Sequence, residues 1–150
     1  MQVTTMLELW AEEECPIADG IYFGNGEVIL VPQIGTMTLH PIVRTNISSI
    51  MEYCYNWKTT LISLFRIDDE SLKIHIQCGE GSDGSEGFVS VESLSDGKLI
   101  WLAYFQSSNP FEHACVEADT IIATTNRKQV WSFPIKNPEL VKASPIPPGW

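Results

Sequence analysis

The sequence predicts an α+β domain: a mostly antiparallel β-sheet built from hairpins, with one or two helices packed on it as a single layer. Three observations lead to this fold class. Leu99–Phe105 is an apolar run without charge, bounded by turn residues, which is typical of a central strand covered on both faces. Asn25-Gly26 lies between β-formers, which indicates a hairpin. Residues 47–57 carry apolar side chains at helical spacing.

All 150 residues fit one domain, which is long enough to bury a core. Residues 137–150 hold four prolines. This segment is therefore expected to be an extended tail that either lies against the surface or moves freely.

The N-terminal part is the least regular. Residues 1–10 alternate loosely and are expected to form an edge strand or a mobile arm. Three glutamates follow at 12–14, and Pro16 ends this acidic patch. The hairpin comes next, because Asn25 and Gly26 both tolerate the positive φ of a tight turn, and Pro32 ends its second strand.

A helix of roughly three turns is predicted over residues 47–57, with Asn46 or the residue before it as the N-cap. The aromatic side chains of this stretch are interpreted as packing residues rather than as a ligand platform. They are Tyr53, Tyr55 and Trp57.

Strand patterns dominate the rest of the chain. Residues 72–78 alternate cleanly between apolar and polar, as a half-buried antiparallel strand does. Residues 79–87 form a glycine-rich acidic loop that is expected to be flexible. Residues 88–93 are either a short strand or a helical turn. Further strands are predicted at 59–67, 114–118, 120–124 and 130–135.

The charge balance excludes some partners. The chain has 19 acidic and 9 basic side chains, a formal net charge of −10. Nucleic acids and anionic membranes need clustered Lys and Arg, so neither is expected to bind. A basic protein partner is favoured by the opposite field. A second interpretation is that the acids only aid solubility.

The chain is expected to be cytoplasmic, because it shows neither a signal peptide nor a membrane-spanning run. Its four cysteines are then expected to be free thiols. No catalytic motif is present, and no metal or cofactor is predicted. His75 and Cys78 are three residues apart on one strand, so they face opposite sides.

The acidic side chains cluster in two parts of the sequence that lack basic residues, 1–43 and 74–97. The hypothesis about the fold is that six of them converge into one negative face, namely Glu12, Glu13, Glu14, Glu80, Asp83 and Glu86. The predicted partner-binding residues are Glu12, Glu13, Glu14, Asp68, Asp69, Glu70, Glu80, Asp83 and Glu86.

Residues 97–135 carry a family resemblance, through Leu99–Phe105, Ser108-Asn109-Pro110-Phe111 and Val130–Pro134. Tryptophan-rich strands of this kind in a small acidic α+β domain resemble the immunity proteins of bacterial polymorphic-toxin and contact-dependent growth inhibition systems. The resemblance implies one-to-one inhibition of a cognate toxin domain, often a basic nuclease, with no enzymatic activity in this chain.

Two other functions fit the sequence. One is a small ligand-binding or enzymatic domain with an aromatic-lined pocket, formed by Trp57, Trp101, Tyr104, Phe105 and Trp131. The other is a structural subunit that pairs through an exposed strand edge. A monomer and a homodimer are both compatible with the sequence.

Overall fold

A computed structural model describes residues 5–34, 37–146 and 148. It confirms the α+β class, with mostly antiparallel strands and two α-helices. The helices are α1 (Met6–Ala11) and α2 (Ile47–Tyr53). The strands are β1 (Glu14–Pro16), β2 (Gly20–Phe23), β3 (Glu27–Leu30), β4 (Gln33–Ile34), β5 (Thr38–Leu39), β6 (Val43–Asn46), β7 (Lys58–Thr60), β8 (Ile62–Asp69), β9 (Ile74–Glu80), β10 (Gly87–Ser93), β11 (Leu99–Phe105), β12 (Phe111–Glu117), β13 (Thr120–Thr125), β14 (Val130–Pro134) and β15 (Lys142–Ala143).

The largest sheet has seven antiparallel strands in the order β6-β3-β2-β11-β10-β9-β8. The predicted central strand β11 is the middle one, which confirms that interpretation. Its side chains alternate between the two faces of the sheet. Trp101 and Phe105 join the core on one face, and Leu102 and Tyr104 join the core on the other. A register shift against β10 leaves Ile100 exposed.

A second sheet covers the first of these faces. It consists of β12-β13-β14-β15, and its apolar side chains form one continuous core with those of the large sheet. Trp101 lies 6.0 Å from Phe133 and Phe105 lies 4.9 Å from Trp131, measured between ring centroids. The Trp101 indole N–H donates to the carbonyl of Ile135 at 2.9 Å. We call this side the sealed face.

The two helices form a single layer on the opposite side, as predicted. Met6 and Leu9 of α1, together with Ile47 and Ile50 of α2, pack against Tyr22 and other apolar residues of the sheet. Helices this short leave β8 and β9 uncovered on this side. We call it the helix face.

The N-terminal prediction is wrong for residues 6–10, which form α1 instead of a strand or a mobile arm. Thr5 is the N-cap, and its hydroxyl accepts a hydrogen bond from the Glu8 N–H at 3.1 Å. Met6 and Leu9, three residues apart, face the core. This short capped turn is stabilised by packing rather than by its length. Residues 1–4 lie outside the described part.

The proline-rich tail lies against the body of the protein as far as it is described. Pro138–Leu140 form a 3₁₀ turn, Val141 is buried, and β15 pairs with β14. Residues 88–93 belong to strand β10, so the segment is a strand rather than a helical turn. Among the described helices, none is long and apolar enough to cross a membrane.

Candidate functional site

Among the described residues, the most exposed large apolar side chains lie at the end of α2 and directly after it. Tyr53, Tyr55 and Trp57 are 74 %, 84 % and 70 % exposed, respectively. The interpretation of these residues as packing is therefore wrong. The helix ends at Tyr53 rather than at Trp57, so the last two residues of the predicted apolar stripe, Cys54 and Trp57, lie beyond its end.

This aromatic segment has a fixed backbone. Tyr55 and Asn56 adopt left-handed conformations, with φ of 51° and 60°. The N–H of Asn56 donates to the carbonyl of Met51 at 2.8 Å, and the N–H of Trp57 donates to that of Cys54 at 2.9 Å. Left-handed residues of this kind persist only where the surrounding contacts hold them. The three aromatic side chains are therefore presented to solvent by a structured turn.

An acidic group lies beside the aromatic segment. Trp57 leads directly into β7, which pairs with β1, so Lys58 lies opposite Pro16 and Thr60 opposite Glu14. The Lys58 ammonium lies 3.4 Å from the Glu14 carboxylate. Glu12 and Glu13 precede β1 and are exposed.

The loop after β9 reaches β7 from the other side. The Ser82 N–H donates to the Thr59 hydroxyl at 3.1 Å, which brings Asp83 close to the same strand. Asp83 is exposed, and Glu80 is half-buried opposite Ile62. The structure thus gathers five predicted site residues around β7. Together with the aromatic segment we call them the aromatic–acidic surface, comprising Tyr53, Tyr55, Trp57, Glu12, Glu13, Glu14, Glu80 and Asp83.

Glu86 does not belong to this surface. The prediction that Glu86 is an exposed residue of the acidic loop is wrong, because it is only 5 % exposed. Its carboxylate accepts hydrogen bonds from the hydroxyls of Tyr104 and Thr59 and from the Asp83 N–H. The carboxylate therefore ties the loop to the central strand and is unavailable to a large partner.

The sequence around Glu86 explains its burial. A Cβ at Gly81 would lie 2.7 Å from the Glu86 carboxyl carbon, so a side chain there would displace the carboxylate from its present position. Burial and the hydrogen bond to Glu86 raise the pKa of the Tyr104 hydroxyl, which therefore remains the donor. The loop is consequently more ordered than its glycine-rich composition predicted.

The other three predicted residues lie elsewhere. Asp68, Asp69 and Glu70 are at the β8–β9 turn. This is the far end of an eight-residue strand, roughly 23 Å from Ile62 at the rise of a β-strand. Asp69 accepts hydrogen bonds from Leu72 N–H and the Ser71 hydroxyl, which lower the pKa of its carboxyl. These three residues therefore lie apart from the five acids around β7.

The alternative aromatic pocket is not formed as predicted. Trp101, Phe105 and Trp131 are buried between the two sheets, and Tyr104 is on the opposite side of the large sheet. Trp57 is at the surface, so these five residues do not share a cavity. All four cysteines are free thiols. Within the described ranges, no group of three or more His, Cys, Asp or Glu side chains is arranged to hold a metal ion.

The exposure of the aromatic segment had a signal in the sequence. Asn56 follows the last helical turn, and asparagine is a common left-handed residue at helix ends. If Asn56 is taken as the end of the helix, the sequence predicts that Trp57 lies outside it.

Comparison with known proteins finds no matching family model, no matching curated relative and no matching solved structure.

Proposed function

We propose that the chain is an immunity protein that acts in the cytoplasm, where it binds a basic toxin domain and blocks it without chemistry of its own. The observation that carries this proposal is the aromatic–acidic surface. Three aromatic side chains on a structured turn stand next to exposed carboxylates. Interface hot spots are enriched in such aromatic residues, and acidic neighbours select a basic partner.

The two components have separate roles. Tyr and Trp each bury roughly 150–250 Å² when a partner covers them, so they supply most of the contact energy. Glu12, Glu13 and Asp83 would accelerate the encounter with Lys- and Arg-rich surfaces, which normally contact phosphates. Lys58 is paired with Glu14, so it does not present an uncompensated positive charge here.

Co-expression tests the proposal. The chain is produced together with the toxic domain encoded in the adjacent reading frame, and bacterial growth is followed. Wild type should restore growth. The variant Glu12→Lys/Glu13→Lys/Asp83→Lys should protect poorly, because it reverses the local field.

The matched control is Glu70→Lys/Glu117→Lys/Asp119→Lys, which changes the net charge equally at exposed positions elsewhere. The proposal is supported if the control protects the bacteria and the variant Glu12→Lys/Glu13→Lys/Asp83→Lys does not. A wild-type chain that neither binds nor protects, or equal protection by both triple variants, would overturn it.

A further inference from the structure

The helix face contains a cleft that the aromatic–acidic surface does not account for. It lies between α1 and the uncovered part of the large sheet and has a volume of about 480 Å³. Small-molecule sites typically occupy roughly 300–1,000 Å³. Buried apolar residues, Leu61, Phe88 and Leu99, contribute to its lining, and polar side chains from α1 and three strands complete it.

Four polar side chains of the cleft form one hydrogen-bond network. Glu92 accepts one hydrogen bond on each carboxylate oxygen, from the Trp10 indole N–H at 3.1 Å and from the Gln77 amide at 2.8 Å. Gln77 in turn accepts a hydrogen bond from Arg66 Nε at 3.2 Å. These contacts pre-arrange the site, since a ligand need not order the side chains that receive it.

Two cations line the same cleft. They are Arg66, whose Nε donates to Gln77, and Lys98. Among the described residues, neither of them forms a salt bridge with a carboxylate. The Ser63 hydroxyl also lines the cleft and is buried without a hydrogen-bond partner in the described part of the chain. Two cations without an ion pair among the described residues, together with the unpartnered Ser63 hydroxyl, provide hydrogen-bond donors for an anionic group.

We propose that this cleft binds a small monocarboxylate with an apolar body. The carboxylate would lie between the Arg66 guanidinium and the Lys98 ammonium, and the body would contact Leu61, Phe88 and Leu99. Glu13 and Glu92 also line the cleft, so they disfavour ligands with several negative charges. The site uses none of the exposed aromatic residues after α2, and it stands whether or not the chain inhibits a toxin.

Titration with benzoate, followed by ¹H–¹⁵N NMR on the full chain, tests this site. Benzamide, which has the same ring but no charge, is the ligand control. Benzoate should shift the side-chain resonances of Trp10 Nε1 and Arg66 Nε, and benzamide should not. Arg66→Gln and Lys98→Gln should each weaken benzoate binding roughly tenfold or more, because each removes a charge-assisted contact.

The control variant is Arg127→Gln, an exposed cation in the β13–β14 turn. It should leave benzoate binding unchanged, and the spectra report whether each variant is folded. Three results would overturn the proposal: no shift at these resonances with benzoate, equal shifts with benzamide, or equal weakening by Arg127→Gln.

Discussion

The two faces of the seven-stranded sheet are covered in different ways. A second sheet closes the sealed face, where Trp101, Phe105 and Trp131 exclude water. Helices of six and seven residues cover the helix face only in part. That face therefore keeps a polar network and a cleft beside β8 and β9, and exposed aromatic residues where α2 ends.

This difference separates stability from binding. Apolar burial is favourable in proportion to the area removed from water, so the buried side chains of the sealed face contribute folding energy that mutation can remove. Side chains kept in solvent, by contrast, can be covered only by a partner. Substitutions on the sealed face should therefore lower stability, and substitutions on the aromatic–acidic surface should lower affinity.

The largest effect is expected for Trp101→Ala on the sealed face. It removes a fully buried ring and leaves the Ile135 carbonyl without its donor. The free energy of unfolding should fall by about 3–5 kcal/mol, measured by urea denaturation. A loss of less than about 1 kcal/mol would mean that the two sheets pack less closely than described.

The stability at alkaline pH tests the burial of Cys78, which belongs to the core of the sealed face. Burial raises the pKa of its thiol to about 12 in the folded protein. In the unfolded chain the same thiol has the ordinary pKa of about 8.5. The unfolded state therefore loses its proton first, and stability falls as pH rises between these values. The slope from this thiol should be about 1.4 kcal/mol per pH unit.

Cys78→Ala removes that contribution to the slope. Urea unfolding of both proteins at pH 8, 9 and 10 provides the comparison. The variant should lose less stability than wild type over this range. Identical pH dependence in the two proteins would contradict the burial of this thiol.

Glu86→Ala tests the ordered loop between β9 and β10. It leaves the Tyr104 hydroxyl and the Asp83 N–H without their acceptor. Stability should fall by about 1–3 kcal/mol, and amide exchange in the loop should accelerate. Unchanged stability and exchange would show that the carboxylate does not hold the loop.

Of the substitutions chosen to lower stability, the smallest loss is expected at the N-cap of α1. Thr5→Ala should cost about 1 kcal/mol in the free energy of unfolding, and Thr5→Ser should cost much less, because serine also accepts the Glu8 N–H. Equal losses in the two variants would argue against the cap. Since α1 forms one wall of the cleft, Thr5→Ala should also weaken benzoate binding.

Much of the fold is predictable because its signals are local. The apolar run at Leu99–Phe105 identified the central strand, and Asn25-Gly26 identified the hairpin, where Gly26 has a φ of 96°. The second sheet was not predicted. Its strands were recognised singly, but the sequence pattern does not say whether β12 continues the first sheet or begins another.

The site was less predictable because it depends on where elements end. A helix that includes Trp57 predicts that its side chain packs in the core, but α2 ends at Tyr53. Asp68 and Glu80 are both predicted partner-binding residues, yet the length of β8 separates them. The burial of Glu86 depends on its hydrogen bond with Tyr104, 18 residues away, and on the absence of a side chain at Gly81. Such contacts are set by the tertiary fold.

One measurement tests the separation of the two roles most directly. The affinity of the toxin domain is determined for wild type, Trp57→Ala and Leu140→Ala, together with their urea-unfolding midpoints. Leu140 is a matched control, because it is also an exposed apolar residue, 55 % exposed, but lies in the tail. Trp57→Ala should weaken binding roughly 100-fold and change stability by less than about 0.5 kcal/mol, whereas Leu140→Ala should change neither. Tight binding by Trp57→Ala, or equal weakening by Leu140→Ala, would contradict the account.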